Sequence, residues 1–508
     1  MSERIANGTA NGFRLVFAAA FSLILLNVIF NRAVYDYPAA ALLPGMAAVL
    51  AALWGLSRLL AGRLAATAND RFGLCLAAMA AVLFGVEMAF VVPLRYAPTF
   101  DLEAIFNGAI RWVETGTFTD YASPTCHAGY FYIFPNNLGG LCFFYGLFRL
   151  SSFFGLTDYY LVASVANGLF LTGTMVLSAC VARRLWSPSA GLFCGALFLL
   201  SPPFWFLAPV FYTDALSMLF PVAAWACCLR AEDSRAPWAM CLWYGAAGLC
   251  GGVGVLLKPT VGILLIALAI GYALRRRWRS LLVFSLAAVT MVALTQGLLR
   301  AAIYPAYLDW ETAEERNLPT EYWLALGLGE NGRYQQDVFE LAFDPDGQEA
   351  KQEALRAAIA EEVREQGVTG LLGLFAVKTA RAFGDGTYAS SDFLDDRPAN
   401  PSALHQWITY KGDWYGVYAT AATCLLTALL VLAVVGVVRN RGVTDDLVAP
   451  ISLFGLMLFL MVWEVSGRYF VNLIPMVFLA ATGGVMAKRK PVSGSRKERP
   501  TAIGSALF

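Results

Sequence analysis

The chain reads as an all-α polytopic membrane protein of about twelve transmembrane helices with extracytoplasmic loops and interfacial helices. Three observations predict this class. Residues of the AVILMFWYC set make up 58% of the chain and charged residues 14%, well below the roughly 25% charged share of soluble domains. Apolar runs close to the ~20 residues needed to cross hydrocarbon recur throughout, which rules out a single-anchor protein. Basic residues sit in short clusters beside those runs rather than along one face, and the net charge of +1 carries no nucleic-acid footprint.

The first apolar run, 13–30, follows Arg4 and Arg14 and leads into Asn31-Arg32 without a small-residue cleavage site. That is the pattern of a retained signal anchor with a cytoplasmic N-terminus. Hydropathy then places spans at 12–31, 38–56, 72–92, 159–182, 190–207, 211–229, 240–256, 260–274, 280–302, 414–438, 447–463 and 469–487. The resulting organisation is 1–93, N-terminal spans; 94–158, a first extracytoplasmic loop with an acidic motif and an interfacial helix; and 159–302, central spans. A second extracytoplasmic region, 303–413, precedes C-terminal spans at 414–487 and a basic cytoplasmic tail at 488–508. Within the second region, 348–366 reads as a solvated helix and 384–401 as a turn-rich loop. No internal repeat is evident, which weakens a transporter built from inverted halves.

Positive charge checks the parity of these spans. The clusters Arg58/Arg63/Arg71, Arg183/Arg184, Arg230/Arg235, Arg275–Arg279, Arg439/Arg441 and Lys488–Lys490 all fall on the cytoplasmic side only if 130–154 does not cross. Its make-up suits the outer interface, because Tyr130-Phe131-Tyr132-Ile133-Phe134-Pro135-Asn136-Asn137 combines interfacial aromatics with a proline and two amides that are costly in hydrocarbon. Both termini are then cytoplasmic. The ten cysteines lie mostly inside apolar runs with no CxxC spacing, so neither a metal knuckle nor a disulfide framework is implied.

Charged groups near membrane depth are rare and tend to be functional, and here they gather on the extracytoplasmic side. Asp101-Leu102-Glu103 follows the third span, and two carboxylates at a membrane exit are what an enzyme needs to join a water-soluble acceptor to a lipid-carried donor. Asp214, after Tyr212-Thr213, fits either a cap on the following helix or a site acid. Lys258, in Leu257-Lys258-Pro259-Thr260, fits either a snorkelling side chain or a phosphate contact. Glu464 and Arg468, in the last outward turn, could pair with each other or serve the site. Both histidines, His127 and His405, are extracytoplasmic without metal-ligand spacing, and His127, Tyr132 and Asn136 are candidates for an acceptor pocket.

This layout resembles the GT-C superfamily of integral membrane glycosyltransferases, especially the group of protein O-mannosyltransferases and the lipid A aminoarabinose transferase. The resemblance rests on Asp101-Leu102-Glu103, the segment with Tyr132 and Pro135-Asn136-Asn137, the Tyr212-Thr213-Asp214 and Lys258-Pro259 turns, and the stretch from Glu464 to Tyr469. It implies a GT-C-like bundle and a sugar donor on a polyprenyl phosphate. The acceptor would be an extracytoplasmic glycan, lipid or protein hydroxyl, with Asp101 as base and Glu103 beside it. Lys258 would meet the donor phosphate, with Asp214, Tyr212, Arg468 and Glu464 around it. The chain departs from the protein mannosyltransferases in having Asp-x-Glu for adjacent Asp-Glu, which leaves acceptor type and use of a divalent metal ion open. No nucleotide loop appears.

Two rivals share these residues. A lipid or solute transporter would use the acids as proton or substrate sites, although carrier sites usually lie near the midplane. A lipid-linked glycan polymerase or ligase differs only in its product. The topology itself is testable: a cysteine placed near Ser187, in a background of silent native cysteines, should resist an impermeant thiol reagent applied from outside. Labelling there would sink the interfacial reading of 130–154.

Overall fold

A computed structural model describes residues 2–35, 37–345, 347–395 and 397–486, so the basic tail expected at 488–508 lies outside the described residues. The protein is an all-α polytopic membrane protein. Among the described residues there is no strand, only isolated bridges of Tyr96 with Pro398 and Ser123 with Cys126. Helices α1 (Glu3–Phe30), α2 (Ala39–Ala61) and α3 (Phe72–Val91) precede the amphipathic α4 (Phe100–Thr115) and the short α5 (Leu138–Phe153). The central bundle is α6 (Tyr159–Leu185), α7 (Pro188–Leu200), α8 (Leu219–Asp233), α9 (Pro237–Leu257), α10 (Gly262–Leu274) and α11 (Trp278–Ile303). An outer layer of α12 (Thr320–Leu328), α13 (Gln336–Phe343) and α14 (Gln348–Phe383) leads to α15 (Tyr415–Arg439), α16 (Val448–Val462) and α17 (Ile474–Met486).

Ten of the twelve expected spans are helices long and apolar enough to cross a membrane; Pro188–Leu200 and Pro259–Leu274 are shorter. Proline is the reason. Ser201-Pro202-Pro203 ends α7 after 13 residues, and Lys258-Pro259 ends α9 and starts a short 3₁₀ turn before α10. Helix starts carry their caps: Asp158 accepts from the Leu161 amide at 3.2 Å, and Ser187 from the Ala190 amide at 3.1 Å with Pro188 next in line.

Glycines let the spans approach closely where hydrophobic burial between helices gives little drive. A Cβ on Gly248 would lie 2.6 Å from the Ala287 carbonyl oxygen and one on Gly252 2.8 Å from that of Met291, so this spaced pair seats α9 on α11. Gly436 and Gly484 do the same for α15 and α17.

Ion pairs tie helix ends together at two levels. Arg275, after α10, reaches Glu232 at the end of α8 (2.9 Å) and Asp445 before α16 (2.5 Å). Arg184 at the end of α6 pairs with Asp233 at 2.5 Å. At the opposite ends, Arg95 after α3 meets Asp158 before α6 in a bidentate pair at 3.0 Å, so the chain between them leaves and re-enters the bundle on one face. Asn400 and the backbone of Ala399 bond to Val92 and Arg95, joining the second outer region to the first.

The outer layer has its own small core of Leu318, Tyr322, Ala325, Leu326, Val338, Ala342 and Leu355. The helix expected at 348–366 runs on to Phe383 through a break at Gly367 (φ 57, ψ −170), and its second half packs against α1 and α16. That half was missed because it is too short for a span and carries Lys378 and Arg381. The loop expected at 384–401 contains one short helix, Ser390–Leu394.

Gly484→Ala should destabilise the protein by about 1–3 kcal/mol through overpacking, since its Cβ would stand 2.0 Å from the Leu432 carbonyl oxygen. Gly297→Ala, which meets nothing within 4 Å, should cost nothing. Thermal unfolding of the purified variants in detergent compares the two.

Candidate active site

Three interruptions of helix bring polar groups together on the face that carries Arg95 and Asp158. Asp101 stands in the first turn of α4, just after Phe100, whose φ of 50° is unusual for a bulky residue. Tyr212 and Asp214 occupy the irregular stretch between α7 and α8, Lys258 the extended residue between α9 and Pro259, and Arg468 a 3₁₀ turn, Gly467–Leu473, ahead of α17. The Asn472 amide donates to the Thr260 hydroxyl at 2.8 Å, fixing the Lys258 turn against the Arg468 turn.

At the centre, Asp101 Oδ1 accepts from the Tyr130 hydroxyl at 2.5 Å and Oδ2 from the Tyr212 hydroxyl at 3.1 Å. The Tyr130 oxygen in turn accepts from Asn137 Nδ2 at 2.5 Å. Burial, and then the Asp101 charge, push both phenols well above their ordinary pKa, so each stays a protonated donor to the carboxylate. Arg468 Nη2 stands 3.9 Å from Asp101 Oδ2, and the Asp101 side chain is 34% exposed. It is therefore held on one side and open on the other.

Lys258 pairs with Asp214 at 2.7 Å, with the two side chains 14% and 5% exposed. Burial lowers the Lys258 pKa, and the Asp214 charge opposes that shift. Its ammonium lies 4.5 Å from the centre of the Tyr469 ring and 5.7 Å from that of Tyr212, and the Arg468 guanidinium lies 5.1 Å from Tyr212 and 5.5 Å from Tyr469. Two cations thus share two aromatic faces, a favourable arrangement once water is excluded. Arg468 Nε is buried and has no hydrogen-bond partner among the described residues.

The structure decides among the open alternatives. Asp214 is not a helix cap, for neither of its oxygens accepts a backbone hydrogen bond; it is the counter-ion of Lys258. Glu464 accepts from the Tyr469 hydroxyl at 2.6 Å rather than pairing with Arg468, which is directed at Asp101. Glu103 lies about 200° around the helix from Asp101. It is buried, accepting from the hydroxyls of Tyr121 (2.9 Å) and Thr125, and so braces the following loop instead of joining the cluster.

The remaining candidates stand outside the central network. His127 is exposed, while His405 is buried against Ser402. Tyr132 accepts from the Asp309 amide at 3.1 Å, linking the two outer regions, and Asn136 is exposed, its amide donating to Asn137 Oδ1 at 3.4 Å. Tyr130, Asn137 and Tyr469 were missed as site residues. Their motifs were visible, but which member of each motif turns inward is a tertiary matter. No three His, Cys, Asp or Glu side chains converge among the described residues. With phenols, an arginine and a paired lysine around Asp101, this donor set does not fit a divalent cation.

Glu103→Ala should leave the Thr125 hydroxyl without its acceptor, at a cost of about 1–3 kcal/mol. Amide exchange across 116–126 should quicken while that of α9 and α11 holds, and unchanged exchange in the loop would refute the bracing role.

Two solved structures of ArnT from Cupriavidus metallidurans are similar to the chain at 13% identity, each covering 80% of this chain and 77% of the other. The one bound to undecaprenyl phosphate has a TM-score of 0.33 and the apo form 0.34. Comparison with curated proteins gives no match. A family model described as "conserved hypothetical integral membrane protein" matches residues 18–487. The chain belongs to this family of integral membrane proteins.

Proposed function

We propose that this protein is an integral membrane glycosyltransferase that moves a sugar from a polyprenyl-phosphate donor to an acceptor hydroxyl on the extracytoplasmic side. The observation that carries the reading is a half-open carboxylate, Asp101, that faces Arg468 at 3.9 Å beside the Lys258–Asp214 pair, with a buried Arg468 N–H that has no partner among the described residues. An acid held by phenols beside a lysine and an arginine suits proton removal next to a departing phosphate.

In the proposed reaction the acceptor hydroxyl enters on the open side of Asp101 and gives it the proton. The acceptor oxygen forms its bond to the anomeric carbon as the bond from that carbon to the phosphate oxygen breaks. The electron pair leaves with the polyprenyl phosphate, whose charge Lys258 and Arg468 stabilise. Tyr130 and Tyr212 keep Asp101 aimed, and Asp214 keeps the Lys258 ammonium in place despite its burial. One displacement of this kind inverts the anomeric centre. The donor supplies the driving energy, so no nucleotide is needed.

Transfer of label from isolated polyprenyl-phosphate sugars to endogenous membrane acceptors tests this directly. At equal folded abundance, Asp101→Asn should lower transfer by about 10²–10⁴-fold with donor binding retained, and Arg468→Met by about 10²–10³-fold. Wild-type transfer by Asp101→Asn would remove Asp101 as the base. No transfer by the wild type across several donors would overturn the enzyme reading in favour of a carrier.

A further inference from the structure

Lys378 lies in the second half of α14 and is 1% exposed. Its ammonium donates to three backbone carbonyls: that of Gly327 near the end of α12, and those of Met461 (2.9 Å) and Trp463 (2.9 Å) at the end of α16. No carboxylate pairs with it among the described residues. Three acceptors match the three N–H donors of an ammonium. The last carbonyls of a helix lack partners within it and carry the negative end of its dipole, so a cation between two such ends is doubly favoured.

The surroundings are built tightly around this side chain. A Cβ on Gly327 would stand 2.3 Å from the Val462 carbonyl oxygen, and one on Gly332 (φ 65°) would stand 2.8 Å from Lys378 Cδ. The Glu464 amide donates to the Trp323 carbonyl at 3.1 Å, and the Val465 amide to that of Gly332 at 2.7 Å. Trp323 and Trp463 stack with ring centres 5.7 Å apart and planes 4° from parallel. The outer layer thereby clamps the strand of chain that leads directly into Arg468.

We propose that Lys378 is a positioning residue for the reaction, pinning the exit of α16 to α12 and so setting where Glu464 and Arg468 stand; this rests on the glycosyltransferase reading. Only three residues lie between Glu464 and Arg468, and the turn between them is not a continuous α-helix. A slip of the clamp therefore reaches the Arg468 guanidinium with little to absorb it, and displacements near 1 Å at such a group are costly.

The test uses full-length protein in lipid nanodiscs, with hydrogen exchange and with binding of undecaprenyl phosphate as the probe. In Lys378→Met, exchange of the Glu464 and Val465 amides should quicken at least roughly tenfold while α9 and α11 keep wild-type protection, and probe binding should weaken roughly tenfold. Lys378→Arg, which keeps a cation able to donate to carbonyls, should recover most of both. If Lys378→Met does not fold, Gly332→Ala presses on the lysine stem with the ammonium retained and should give the same two changes in smaller measure. Wild-type exchange at Glu464 and Val465, or protection lost evenly over the whole bundle, overturns the positioning role. Absence of probe binding by the wild type overturns the proposed function instead, and the exchange result still decides the clamp.

Discussion

Hydrocarbon offers no partner to a charge or to an unpaired amide, and the whole arrangement follows from that constraint. Backbone groups are satisfied within helices, and the ionic side chains are sorted to two levels. Arg184, Glu232, Asp233, Arg275 and Asp445 lock helix ends together on one face. Arg95, Asp158, Asp101, Asp214, Lys258 and Arg468 lie on the other. Glu87, fully buried inside α3, is an exception, and it takes the Thr172 hydroxyl of α6 at 3.2 Å.

The two levels are used differently. On the first face every arginine of the cluster meets a carboxylate, so charge is consumed in holding helices together. On the second, three cations face three carboxylates but are not all closely paired: Arg95 holds Asp158 and Lys258 holds Asp214, while Arg468 stands 3.9 Å from Asp101 with its Nε unpartnered among the described residues. Helix interruptions at Tyr212-Thr213, Lys258-Pro259 and Ser466-Gly467 make that looser arrangement possible, because each lets a side chain leave its helix beside the others. The small outer layer, with Lys378 between two helix ends, then fixes the last of these interruptions.

Much of this was legible in the sequence. Apolar runs of span length located all ten described helices that are long and apolar enough to cross a membrane, since a helix in lipid must be apolar over a known length. The gathering of Asp101, Tyr212, Asp214, Lys258 and Arg468 on one side followed from counting crossings. The failures were local. Prolines after Leu200 and Leu257 shortened two spans, and the apolar half of α14 was hidden by Lys378 and Arg381.

What the sequence determined by itself is therefore the class and the place of the long apolar helices, because hydrophobic length and charge are properties of short stretches. Only tertiary structure decided partners. Asp101 and Glu103 are alike in sequence, yet one faces Tyr130 and Tyr212 and the other Tyr121 and Thr125. Asp214 is a counter-ion and not a cap, and Lys378 donates to the carbonyls of Gly327, Met461 and Trp463, through contacts with residues far away in the chain. A side chain's direction is set by the helix that holds it and by what packs opposite, and the second of these is not written near it.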